Sequence, residues 1–334
     1  MSKHTEFLSI VRVSLWLGVV LISSPAFSEE VIRVSYPAPD TGYTALWAAK
    51  DAGFFRKNKV DVELVYIASS PIGLAALLSG EINVLGGAAR AVMTANLAGS
   101  SDLVLFAGFT RTLPMGLYAI PSIADPAHLR GKHIGVTRFG STIDFAGRWL
   151  LKRWGLDPKK DVALIQVGSI PNMFAALKAQ AIQAGLFSPP YTTMAKKAGF
   201  CELADIGSMG LKFQKEAFGA RRSFLEKNRE VMIRFVTALV EAIHFVKEHP
   251  DEAISLIRKY TKIEDAEVLK ETYETSVKKN LPSVPSVTGD NLSLILSDIQ
   301  EQDPKARNVT PERFIFDGYV KEVVDSGIMQ RLYH

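Results

Sequence analysis

Serine hydroxyls and tyrosine rings lie at several positions in the sequence where a short apolar segment is followed by a polar one. They include Ser69, Ser141, Ser188, Tyr43 and Tyr191. Hydroxyls both donate and accept hydrogen bonds, and tyrosine rings stack on flat groups. Two other roles stay open, because such serines also cap helices, worth about 1 kcal/mol each, and such tyrosines also pack in cores. These residue types favour reversible binding of a small polar molecule.

Three arginines, Arg90, Arg111 and Arg138, fall in the same kind of segment. A guanidinium matches carboxylate or sulfonate with two parallel hydrogen bonds, which favours an organic anion. The alternative for each is a solvated surface position or an ion pair. Asp40 and Asp144 indicate the opposite charge, since either could hold a cationic or amino-bearing group or cap a helix. The sequence therefore leaves the charge of the bound molecule open, with a preference for an anion.

Residue patterns typical of catalysis are absent from the sequence. No histidines show the spacing of a metal site, and there is no Gly-x-Ser-x-Gly nucleophile elbow. The single cysteine, Cys201, has no base among its neighbours and is predicted to be a small buried residue. We therefore expect no catalytic residue, no metal and no cofactor.

Strands and helices alternate in two sets with the same order, followed by a mainly helical segment from Arg222 onward. This alternation predicts two parallel α/β sheets. Phe139, between a predicted strand and helix, is expected in the core. The predicted strands are 31–36, 60–66, 82–85, 102–109, 133–137, 161–167, 183–187 and 201–206, and the predicted helices are 42–55, 69–78, 88–97, 142–154, 171–180, 188–197, 224–248, 251–260, 264–279, 290–300 and 311–326.

Ligands of open parallel sheets sit outside the carboxyl ends of the strands. Most loops at those ends precede helices, whose free N–H groups bind polar or anionic groups. Glycines there let a ligand approach the backbone. The candidate ligand-binding residues are Asp40, Tyr43, Ser69, Ser70, Gly87, Arg90, Arg111, Arg138, Gly140, Ser141, Thr142, Asn172, Ser188 and Tyr191.

Length and composition indicate an ordinary globular protein. The chain has 334 residues, of which 47% are hydrophobic and 22% are charged, so that it is long enough for two domains. A formal net charge of +4 without a dense basic tract argues against a nucleic-acid surface. A lone cysteine excludes a disulfide framework.

The N-terminus has the pattern of a secretory signal. Lys3 and Arg12 precede an apolar run over 13–22, and Ala26 and Ser28 fit cleavage after Ser28. The run is short for a membrane span, although an uncleaved anchor is the alternative. We predict a signal peptide over residues 1–28 and a periplasmic mature protein.

Four sequence blocks resemble a known family. They read LWAAKDAGFFRK with VDVE after it (46–63), LLSGEINV (77–84), LRGKHIGV (129–136) and AALKAQ (175–180). They are similar to the signatures AKExGFFKKxGLDVE, LxSGExDV, LKGKxIGV and AALxxG of the substrate-binding proteins of bacterial ABC importers, in the nitrate/sulfonate/taurine and thiamine-precursor group. The resemblance covers the whole mature chain. Lys59, Val60 and Gln180 depart from these signatures.

The resemblance implies a type II periplasmic-binding-protein fold, α/β, with two lobes, mainly parallel sheets and a hinge. Lobe one would comprise 29–117 plus 219–334 and lobe two 118–218, with crossings near 117–120 and 218–221. It further implies a monomer that closes over a small organic solute and delivers it to an inner-membrane ABC permease. The alternatives are a periplasmic ligand-sensing domain and a pyrimidine-precursor-related binding protein or enzyme on the same fold.

Overall fold

The computed structural model describes residues 31–100 and 102–333. The predicted signal peptide, residues 1–28, lies outside the described residues. Within the described ranges, no helix combines the length and apolar character that crossing a membrane requires.

Ten strands within the described ranges form two five-stranded sheets with equivalent strand orders, β2-β1-β3-β10-β4 in the first and β7-β6-β8-β5-β9 in the second. In each sheet four strands run in the same direction. The remaining strand, β10 in the first sheet and β5 in the second, is antiparallel to both of its neighbours. The predicted α/β fold with mainly parallel sheets is therefore confirmed. The strands are β1 (Ile32–Tyr36), β2 (Val62–Tyr66), β3 (Val84–Gly86), β4 (Leu103–Gly108), β5 (Gly116–Ala119), β6 (His133–Val136), β7 (Ala163–Gln166), β8 (Ala184–Phe187), β9 (Cys201–Asp205) and β10 (Ala217–Arg221).

Helices connect the parallel strands and make up most of the C-terminal segment. The helices are α1 (Thr44–Asp51), α2 (Phe54–Lys57), α3 (Ser70–Ser79), α4 (Ala89–Leu97), α5 (Thr142–Arg153), α6 (Ile170–Lys178), α7 (Tyr191–Lys197), α8 (Arg222–Lys227), α9 (Arg229–Glu248), α10 (Pro250–Thr261), α11 (Ala266–Tyr273) with a π-helical turn after it (Glu274–Lys279), α12 (Gly289–Gln302), α13 (Gly318–Asp325) and α14 (Ile328–Tyr333).

Local sequence explains where these elements begin and end. Helix α3 starts with Pro71 in its first turn, where a missing N–H costs nothing, and stops at Gly80, whose φ of +83° suits glycine. The apolar stripe of α9 packs against the first sheet, α1 and α2, and Phe235 stacks on Phe55 of α2 at 5.0 Å between ring centroids. Burial of such stripes holds the helices on their sheets.

The two segments predicted as crossings near 117–120 and 218–221 are largely the antiparallel strands β5 and β10. Between β4 and β5 the chain passes from the first sheet to the second over residues 109–115, and between β9 and β10 it returns over residues 206–216. The connections thus lie a few residues earlier in the sequence than expected.

Three further expectations were wrong. The predicted helix 311–326 is interrupted because Ile315 pairs with Leu105 of β4, which keeps the backbone extended before α13. The predicted helix 224–248 is divided at Asn228 into α8 and α9. Phe139, expected in the core, is 47% exposed, with the Arg148 guanidinium 5.5 Å from its ring centroid.

Candidate functional site

A cavity of about 60 Å³ lies where loops of the two sheets meet. Because about 10–15 Å³ of such space holds one water molecule, it has room for roughly four to six. The loops that line it follow β1, β2 and β3 of the first sheet and β6 and β7 of the second, which is the position that parallel sheets offer to ligands. The lining residues are Pro37, Ala38, Asp40, Tyr43, Ser69, Ser70, Gly87, Met115, Thr137, Ser141, Thr142, Ile143, Ile170, Lys215 and Glu216.

A buried cluster of two carboxylates and one ammonium borders the cavity. Lys215 Nζ lies 2.7 Å from Asp40 Oδ2 and also donates to Glu216 Oε1. All three side chains are at most 6% exposed. Asp40 accepts two more hydrogen bonds, from the Gly42 N–H at 2.9 Å and from the Ser188 hydroxyl. Lys215, the only ammonium among the described residues that line the cavity, therefore has both carboxylates as partners.

Burial shifts the ionisation of this cluster. It would lower the pKa of Lys215, but the Asp40 and Glu216 carboxylates outweigh it and raise that pKa above 10.5. Burial raises the pKa of Glu216 above its ordinary 4.5; Lys215 opposes this rise and Asp40 adds to it. Burial, and then the charges of Glu216 and Asp40, raises the pKa of Tyr43 well above 10.0. Lys215 therefore stays charged and the Tyr43 hydroxyl stays neutral near pH 7.

Hydroxyl groups from the first sheet gather around Gly87. A Cβ at Gly87 would lie 3.1 Å from the Tyr43 hydroxyl and 3.2 Å from Ser70 Oγ, and the φ of Gly87 is +66°. Ser69, which precedes Ser70 in the chain, has a φ of +81°, and its buried Oγ has no hydrogen-bond partner among the described residues. A non-glycine residue with positive φ is uncommon and is found mostly at sites where the surrounding structure imposes it.

The second sheet contributes hydroxyls that are already bonded to one another. Thr137 Oγ1 donates to Ser141 Oγ at 3.0 Å, and Ser141 Oγ accepts the Asp144 N–H at 3.2 Å. Ser141 is thus the N-cap of α5 and a lining residue at once. Asp144 also accepts the Gly140 N–H at 2.9 Å and pairs with Arg148 at 2.8 Å, so that it serves the helix end and does not line the cavity.

Hydrogen bonds join the loop after β1 to the loop after β8. The Ser188 hydroxyl donates to Asp40, and Thr41 Oγ1 donates to the Pro189 carbonyl at 3.2 Å. Thr41 Oγ1 is also 2.6 Å from Ser276 Oγ in the π-helical turn. The charged cluster is therefore connected to both sheets.

None of the three candidate arginines lines the cavity. Arg90 pairs with Asp298 of α12 at 2.6 Å. Arg111 donates to the Val284 carbonyl at 2.7 Å and to Ser286 Oγ at 2.6 Å. Arg138 is exposed on the loop after β6. The guanidinium groups on which the preference for an anion rested are thus placed elsewhere.

The fourteen candidates divide evenly at the cavity. Seven line it, namely Asp40, Tyr43, Ser69, Ser70, Gly87, Ser141 and Thr142, and seven do not, namely Arg90, Arg111, Arg138, Gly140, Asn172, Ser188 and Tyr191. Tyr191 packs on Phe174 with 5.7 Å between ring centroids, and the Asn172 amide donates to the Val167 carbonyl at 3.3 Å. The Ser188 hydroxyl donates to the lining residue Asp40.

Lys215 and Glu216 were missed because they lie in the return connection and follow no parallel strand. The one signal was an adjacent opposite-charge pair between apolar Phe213 and the apolar strand β10. Within the described ranges, no three His, Cys, Asp or Glu side chains are grouped as metal ligands.

Comparison with known proteins gives a family match and several structural matches. The model of the family described as NMT1/THI5 like matches residues 40–253. YtlA of Bacillus subtilis (strain 168), named only provisionally as a binding protein, is 24% identical over 302 residues, 88% of this chain and 90% of its own length.

Solved structures share the fold. One from Bordetella bronchiseptica RB50 matches with a TM-score of 0.79 and 22% identity over 89% of this chain and 98% of its own. The alkanesulfonate-binding protein SsuA from Xanthomonas axonopodis pv. citri gives 0.69 and 16% over 86% and 98%. The periplasmic nitrate-binding protein NrtA from Synechocystis PCC 6803 gives 0.70 and 15% over 89% and 88%.

Proposed function

The chain belongs to the NMT1/THI5-like family, and from this premise we propose that it is the periplasmic solute-binding component of an ABC importer. It captures a small organic solute and presents it to an inner-membrane permease, as a monomer and without a covalent step. The observation that carries the proposal is the cavity that loops of both sheets line at the carboxyl ends of their parallel strands.

Solute capture in this proposal is a shift between open and closed forms. Two lobes, each built on one of the two sheets, move about the connections 109–115 and 206–216. A solute that contacts Ser69 and Ser70 from one lobe and Ser141 from the other binds the closed form better, and so raises its population. No step in this cycle requires bond making or breaking.

Export to the periplasm and the class of solute complete the proposal. The signal over residues 1–28 directs export and is removed after Ser28. SsuA is named for alkanesulfonates and NrtA for nitrate, and the sequence favoured an organic anion such as a sulfonate or carboxylate. The arginines that supported an anion do not line the cavity, so they provide no guanidinium to a solute bound there.

Thermal unfolding with the small-molecule pool of a bacterial extract tests the proposal. A molecule that binds only the folded protein must raise the melting temperature, by RT ln(1 + [L]/Kd) in free energy. We expect such a rise, and we expect mass spectrometry to recover the bound molecule unchanged. Chemical conversion of that molecule would indicate the pyrimidine-precursor-type enzyme. Uptake that is unaffected by deletion of the gene, despite binding, would indicate a sensing domain.

A further inference from the structure

The positively charged group at the cavity is already paired with carboxylates of the protein. Lys215 donates to both Asp40 and Glu216, at 2.7 Å from Asp40. No arginine is among the described residues that line the cavity. A buried anion without a matching cation loses its hydration, and no ion pair compensates for that cost in free energy.

Two of the helix N-termini at the cavity are also occupied by side chains of the protein itself. At α5 the Asp144 N–H donates to Ser141 Oγ, and the Asp144 carboxylate lies in the first turn. At α6 the Asn172 N–H donates to Ser169 Oγ at 3.3 Å. A carboxylate at a helix N-terminus offsets the partial positive charge there. These helix ends therefore offer little to an anion in the cavity.

Among the side chains that line the cavity, the groups without a full set of partners are carboxylates or hydroxyls. The cavity borders two carboxylates against one ammonium, and all three are nearly inaccessible to solvent. Ser69, 5% exposed, has an Oγ without a hydrogen-bond partner among the described residues. Burial raises the pKa of Glu216, and the Asp40 carboxylate adds to that rise. A negative charge on the solute would add to this repulsion, whereas a hydrogen-bond donor would relieve it.

We propose that the solute carries N–H or O–H donors and no net negative charge, and that Glu216 is the residue that sets this preference. The inference rests on the proposed function, since it concerns the same cavity. The carboxylate of Glu216 packs closely against Gly42, where a Cβ would lie 2.4 Å from Glu216 Cδ. It excludes anions by charge and accepts from donors, while Lys215 holds it in place.

Ion-exchange fractions of a bacterial small-molecule extract separate the possibilities. Anionic, neutral and cationic fractions are each added to the full-chain protein at pH 8, and the melting temperature is measured. We expect the neutral or cationic fraction to raise it and the anionic fraction to have no effect. A rise with the anionic fraction alone would overturn the inference while the proposed function stands. No rise with any fraction would contradict the proposed function itself.

A charge-neutral variant tests the role of Glu216. Glu216→Gln keeps the shape and the acceptor oxygen for Lys215 but removes the negative charge. For the solute recovered from the active fraction, we expect at least a tenfold weaker affinity in Glu216→Gln by titration calorimetry. The matched control Glu230→Gln, at an exposed position on α9, should bind as the wild type does. Equal affinities in the two variants would refute the assignment to Glu216.

Discussion

The loops of the two sheets occupy equivalent positions but supply different chemistry to the cavity. The loop after β1 brings the buried Asp40 and Tyr43, and the loop after β6, its counterpart in strand order, brings the hydroxyls of Thr137 and Ser141. Charge is thus concentrated on the side of the first sheet, together with Lys215 from the return connection. The shared topology determines where loops meet, and the residues within each loop determine what they bind.

The largest effect is expected from removal of the ammonium on the first-sheet side. Lys215→Met leaves two buried carboxylates unpaired, which costs about 3–5 kcal/mol of unfolding free energy. Urea denaturation measures it. Lys212→Met is the control, because its pair with Asp290 is about 70% exposed and surface pairs contribute little. Similar midpoints for the two variants would mean that the buried cluster does not stabilise the fold.

Alanine in place of a glycine in each of the two equivalent loops is expected to separate the cost of crowding from the cost of backbone strain. At Gly42 a Cβ would lie 2.4 Å from Glu216 Cδ, so Gly42→Ala should cost about 1–3 kcal/mol through overpacking. At Gly140 the nearest atom is 4.0 Å away, and only its φ of +80° opposes alanine, which costs about 1 kcal/mol. Urea denaturation of both variants measures the difference. A larger loss at Gly140 would contradict the crowded geometry at Asp40 and Glu216.

Removal of single hydroxyl groups compares a hydrogen bond that joins loops of the two sheets with a hydrogen bond within one loop of the second sheet. Ser188→Ala removes a donor to the buried Asp40 carboxylate, and bonds to charged groups contribute about 1.5–3 kcal/mol. Ser141→Ala removes a helix cap, at about 1 kcal/mol. Chemical denaturation should therefore rank Ser188→Ala as the less stable variant. If Ser141→Ala were the less stable variant, the cap of α5 would contribute more to stability than the hydrogen bond from Ser188 to Asp40.

The smallest effect concerns pH. The pKa of Glu216 is raised in the folded protein, so the folded protein keeps a proton that the unfolded chain releases above about pH 4.5. The free energy of unfolding should therefore fall as pH rises from 4.5 through the folded pKa, and Glu216→Gln should lack this component. Denaturation curves from pH 4 to pH 8 give the difference between wild type and variant. Parallel pH profiles would show that Glu216 titrates normally.

Local sequence was sufficient for the elements of both sheets and for part of the cavity. Ser69 and Ser141 precede helices in a pattern that is visible within ten residues, and both line the cavity. The sequence did not show that two arginines are engaged elsewhere, because their partners are distant in sequence, Asp298 for Arg90 and Ser286 for Arg111. Lys215 and Glu216 acquire their role only when the return connection packs beneath the loop after β1. Neighbouring residues cannot reveal contacts of that kind.

Binding in the cavity between the two sheets is tested most directly by native mass spectrometry of protein incubated with the extract. Ala38→Phe fills the cavity with a side chain, and Ala127→Phe places the same ring on an exposed turn. We predict a small non-covalent mass on the wild type and on Ala127→Phe that is lost from Ala38→Phe. No bound mass on any of the three, or equal retention by Ala38→Phe, would contradict the account.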